Sequence, residues 1–85
     1  MKGTLKAVAV KYPKEAEVPF VCAKAKGVVA ERLLDIAHEN NIPIVNDSVL
    51  TEVLSVQDIG NAIPEQAWEV MAKIFAFVLE NDKNL

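Results

Sequence analysis

Residues 5–12 read LKAVAVKY, with Leu5, Ala7, Ala9 and Lys11 on one side and Lys6, Val8, Val10 and Tyr12 on the other. This period-2 pattern, carried by Val and Tyr, predicts a strand that Pro13 ends. A polar loop, PKEAE, follows, and then a second short apolar run from Val18 to Ala23. Pro19 belongs at the start or on the edge of that strand, because it has no N–H to give to a ladder. The run lacks polar alternation, so both of its faces are expected to be covered.

From about Lys26 to Asn40 the period becomes 3.6. Val29, Leu33, Ile36 and Ala37 form a stripe that Ala30 and Leu34 widen, with Glu31, Arg32, Asp35 and Glu39 opposite. Asn40 and Asn41 end this helix, with Pro43 just beyond. Residues 42–45 (IPIV) then read as a third, buried strand. Asn46, Asp47 and Ser48 offer capping oxygens for a short helix from Val49 to about Val56. Residues 57–61 form a turn, and Pro64 followed by Glu65 opens a last helix running to about Leu79. The order β–β–α–β–α–α predicts an α/β (α+β) fold. It would have a small mixed sheet of about three to four strands flanked by about three to four helices.

The last helix carries more apolar surface than a surface helix needs. On a wheel of about 100° per residue, Ala67, Val70, Met71, Ile74, Phe77 and Val78 make a core stripe. Trp68, Ala72, Phe75 and Leu79 make a second stripe beside it. Together they span roughly 220°, against the ~100° usual for such a helix. Either the helix of residues 49–56 covers the second stripe, or the stripe is an exposed patch for a partner.

Composition narrows the class. The 85 residues are 52% hydrophobic, which argues against disorder and for one domain over residues 1–85, with 80–85 a frayed tail. Nine basic against twelve acidic side chains leave a net charge of −3, so nucleic-acid binding is not expected. Lys24 and Lys26 are a basic pair without interleaved aromatics, which does not change this. No apolar run is long enough to cross a bilayer, which predicts a cytoplasmic protein without direct membrane insertion.

Catalytic chemistry has no visible carrier. The one histidine, His38, has only Asp35 and Glu31 near it in sequence, too few ligands for a metal. Cys22 sits in an apolar run without a nearby base and reads as a buried, inert thiol. Gly27 and Gly60 are isolated, so no phosphate-cradling loop is present. No metal, cofactor or catalytic residue is expected.

Several pieces in order carry a resemblance: Ala7-Val8-Ala9-Val10-Lys11-Tyr12, then Pro19 with Val21-Cys22-Ala23-Lys24, and Ala30-Glu31-Arg32 through Ile36-Ala37. Ile42-Pro43-Ile44-Val45, Leu50 with Leu54, and Asp58-Ile59-Gly60 leading to Ile63-Pro64 continue it. The set resembles the C-terminal cytoplasmic domain of the FlhB/YscU family of flagellar and type III secretion export switch proteins. The resemblance implies a non-catalytic protein-interaction module, with export substrates and the membrane-anchored part of FlhB as partners at the export gate. A small regulatory binder that forms a homodimer is the alternative.

The family cleaves itself at an Asn-Pro-Thr-His motif, where the Asn amide cyclises on its own carbonyl carbon. Lys2, Gly3, Thr4 and Leu5 stand at those positions, and Lys2 has no carboxamide, so cleavage is expected to be absent. The transmembrane half and the strand before the motif have no counterpart, which implies a separately encoded version of the cleaved fragment. A Pro-Pro pair of the family is replaced by Ser48-Val49. The family's substrate-recognising hydrophobic patch maps to Val18, Pro19, Ala72 and Phe75, two of which the wheel had already placed in the second stripe beside Trp68 and Leu79.

Overall fold

A computed structural model describes residues 4–82. Two antiparallel strands, β1 (Lys6–Lys11) and β2 (Phe20–Lys26), form the sheet. Helix α1 (Val28–Glu39) follows β2, and α2 (Ser48–Ser55) comes next. A single 3-10 turn over Glu65–Ala67 leads into α3 (Trp68–Asp82). The mixed α/β class expected from the sequence is the one observed, with fewer strands.

The missing strand is the segment 42–45. Ile42, Ile44 and Val45 are exposed and no ladder includes them. Their backbone chemistry explains why. Asn41 adopts a left-handed conformation (φ 56°) that closes α1, and the Ile42 N–H is spent on the Ala37 carbonyl at 2.9 Å. Pro43 has no N–H to donate. β-branched side chains favour extended backbone, but a strand also needs donors and a neighbouring edge.

Alternating residues of the sheet face different layers. Ala7 and Ala9 pair with Ala25 and Ala23, and α1 lies against both strands, with Ala30 buried and Leu33, Leu34 and Ala37 half-buried. Two strands are too narrow to cover the whole predicted stripe, so Val29 and Ile36 are exposed. On the other face, Val8 and Val10 pack against a core of Leu54, Ile63, Ala67 and Met71, joined by Leu50, Val53, Ile74 and Phe75. Asp47 caps α2 by accepting a hydrogen bond from the Leu50 N–H at 3.0 Å. Such a cap contributes on the order of 1 kcal/mol.

A bulge breaks the register. Ala9 pairs with Ala23 but Val10 pairs with Val21, so Cys22 is an extra residue with no partner across the ladder. Cys22 is therefore exposed, not buried as its apolar neighbours suggested, and Val21 opposite Val10 is fully buried. The expectation that both faces of this run are covered fails for the same reason. The solvent-side lysines of the sheet tie it to α2. Lys6 pairs with Glu52 at 2.7 Å, and the Lys24 ammonium donates to the Ser55 and Gln57 carbonyls at 3.2 and 2.7 Å. A cation at a helix C-terminus also complements its dipole.

Candidate functional site

An apolar groove of about 420 Å³ runs between α3 and the loop that joins the strands. Its walls include Tyr12, Val18 and Pro19 on the loop side and Trp68, Ala72 and Phe75 on the helix, with Ile63 and Met71 also lining it. The volume lies within the roughly 300–1,000 Å³ typical of binding sites.

Local hydrogen bonds bring the two walls together. The segment before α3 is stitched to the start of β2. Val21 N–H donates to the Asn61 carbonyl (2.9 Å), Gly60 N–H to the Val21 carbonyl (2.7 Å), and Ile63 N–H to the Pro19 carbonyl (3.0 Å). Gly60 turns the chain there at φ 96°, a conformation that side chains with a Cβ rarely adopt. Trp68 is anchored by its indole N–H, which donates to the Ile63 carbonyl at 3.2 Å. The Tyr12 hydroxyl donates to the Glu17 carbonyl at 3.3 Å, and its ring packs tilted against Phe75 at 5.4 Å between centroids.

Of the six residues singled out for a patch, Val18, Pro19, Trp68, Ala72 and Phe75 converge on this groove. The side chain of Leu79 lies outside the described residues. Trp68 is 46% exposed and Ala72 is exposed, while Phe75 is half-buried and also packs on the core. Helix α2 does not cover this stripe, because its Leu50 and Val53 pack on the Ala67 side of α3. The core stripe is narrower than the wheel suggested. Val70 and Phe77 are exposed and border a shallow depression with Ile44 and Val45.

Tyr12, Glu17 and Ile63 were not singled out by the sequence reading. Tyr12 just past the end of β1, Glu17 in a polar loop and Ile63 before a Pro carry no signal of a shared wall in sequence; their meeting is a product of the loop path. Thr4 and Leu5 are exposed, whereas Lys2 and Gly3 lie outside the described residues. Among the described residues, no helix is long and apolar enough to cross a membrane.

The described residues thus form a small α/β fold with an open apolar groove between the strand-joining loop and the last helix. The chain belongs to the FlhB HrpN YscU SpaS family, whose model matches residues 3–78. It is similar to YlqH of Bacillus subtilis, 33% identical over 94% of this chain and 87% of that protein. It is likewise similar to the flagellar biosynthetic protein FlhB of Aquifex aeolicus, 32% identical over 93% of this chain and 23% of that protein. The chain thus spans about a quarter of that FlhB's length.

Among solved structures it resembles the cytoplasmic domain of FlhB from Shewanella putrefaciens, with TM-score 0.80 and 36% identity. That match covers 87% of this chain and 63% of the other. The PscU C-terminal domain shares the fold at TM-score 0.79 and 24% identity, covering 86% and 95% of the two chains.

Proposed function

We propose that this chain is a non-catalytic protein-interaction module of the flagellar or type III export apparatus. In this reading it stands in for the cleaved C-terminal fragment of FlhB in recognising export substrates or in specificity switching. The observation that carries the reading is the apolar groove, where Val18 and Pro19 meet Trp68, Ala72 and Phe75. The likeness to YlqH over most of both chains supports a role for the fold apart from a full-length FlhB.

The module works in the cytoplasm, peripherally at the export gate. It docks on the membrane-anchored part of FlhB through the free edge of β1, whose other edge is occupied by β2. An unpaired strand edge is a ready template for strand addition. Supplying this chain to cells whose FlhB lacks its C-terminal domain should restore motility and hook length. Continued loss of motility with well-expressed protein would overturn the substitute role. A concentration-dependent dimer that buries Trp68 and binds no export protein would point instead to self-association.

No self-cleavage is part of this function. Succinimide formation needs a side-chain carboxamide, and Lys2 supplies an ammonium group instead. Intact mass of the purified chain should therefore show one unbroken species. A fragment pair split between Lys2 and Gly3 would refute this.

A further inference from the structure

We propose that the groove is selective for charge as well as for apolar surface, and takes a peptide segment whose apolar side chains are bordered by lysine or arginine. This rests on the groove being a docking site and names the chemistry of what docks. Glu17 lines the groove next to Val18. On the opposite wall, Glu69 lies on α3 three and seven residues before Ala72 and Ala76, both of which line the groove. At about 100° per residue these three positions fall within roughly 60° of one another, so Glu69 borders the helix wall. Glu65 precedes Trp68 by one turn. All three glutamates are exposed.

Among the described residues none of these carboxylates forms an ion pair. Among the described residues the only ion pair is Lys6 with Glu52, on the sheet beside α2. Lys14 belongs to the loop of the first wall, and Lys73 lies one turn past Glu69, farther round the helix from Ala72; neither pairs with a carboxylate among the described residues. The charged side chain that lines the cleft is Glu17, with Glu65 and Glu69 close to its helix wall, and such a negative field in an apolar cleft acts on whatever enters. A basic flank on the entering segment gains from it and an acidic flank is repelled. The same field, with a net charge of −3, disfavours nucleic acid and anionic lipid as occupants.

Trp68, the chain's one tryptophan, stands in the groove wall and reports occupancy. The test titrates the full chain with three short synthetic peptides that share an apolar centre and differ only in flanks of Lys, Gln or Glu, following Trp68 emission. At low salt the Lys-flanked peptide should bind about tenfold tighter than the Gln-flanked one, taking about threefold for each of two carboxylate–cation pairs. The Glu-flanked peptide should bind weakest, and the spread should shrink in about 0.5 M salt. The double variant E17Q/E69Q should lose most of the preference for the Lys-flanked over the Gln-flanked peptide, with an unchanged circular dichroism spectrum. Equal affinity for all three peptides would overturn the charge selectivity and leave the groove as a docking site. No response of Trp68 to any of them would overturn the docking site itself.

Discussion

Ala72→Glu is expected to abolish capture of export partners while leaving the fold intact. Ala72 is exposed on α3 and lines the groove between Trp68 and Phe75, so it contributes to the site without contributing to the core. Glu is a good helix former at such a position, which keeps the helix stable. In the bound state the new carboxylate would be pressed against the apolar centre of the partner segment, away from its basic flanks. Burying an unpaired charge is far costlier than losing a methyl contact. Affinity should fall by about 100-fold or more, the scale of a central interface residue.

Phe75 is the less informative position, because its ring packs both on Tyr12 and on the core cluster. A charge there would confuse unfolding with loss of binding. The measurement for Ala72→Glu is pull-down or titration against export proteins beside a thermal melt. Unchanged binding with an unchanged melt would remove the groove from the function.

Leu54→Ala is expected to lower folding stability by about 2–5 kcal/mol, the range for truncating a buried leucine. Leu54 is 4% exposed and sits at the centre of the cluster with Ile63, Ala67 and Met71, where α2 meets α3 and β1. At roughly 0.05–0.15 kcal/mol per residue, 85 residues hold about 4–13 kcal/mol in total. The substitution therefore removes a large fraction of what is available. Chemical denaturation should show a lower midpoint with an unchanged slope, as for a loss of stability without a change in exposed area. Val56→Ala, at a position 75% exposed, is the control and should stay within about 0.5 kcal/mol. A loss below about 1 kcal/mol for Leu54→Ala would mean that the cluster is not the core.

Loss of Leu54 would also reach the groove. Met71 belongs to both the cluster and the groove lining, and Ile63 does too. The site is thus the outer side of the core, and partner binding should weaken together with stability in Leu54→Ala. Ala72→Glu separates the two properties, because its side chain reaches only the outer surface.

Most elements were legible in the sequence, and the reasons are local. The alternation over Lys6, Ala7, Val8, Ala9 and Val10 is a strand whatever lies beside it. The Asp47 cap and the 3.6-residue period place α2 within a residue of its expected start and end. Residues 42–45 misled because β-branched composition reports extended backbone and says nothing of a ladder partner. Cys22 misled because a bulge is a property of two strands aligned together. The wheel found Trp68, Ala72 and Phe75 in one stripe, yet it overstated the core stripe at Val70 and Phe77, which are exposed.

What the sequence by itself determined is the two paired strands and the three helices, the family resemblance, and a last helix with more apolar surface than one neighbour could bury. These follow from periodicity and capping, which act over a few residues. Only the tertiary structure decided which of that surface is core and which is open. That choice depends on where Gly60, Ile63 and Pro19 lock the segment before α3 against the start of β2. Their ladder sets the loop carrying Val18 and Pro19 opposite Trp68 and Phe75, and leaves a groove where two apolar walls would otherwise have closed.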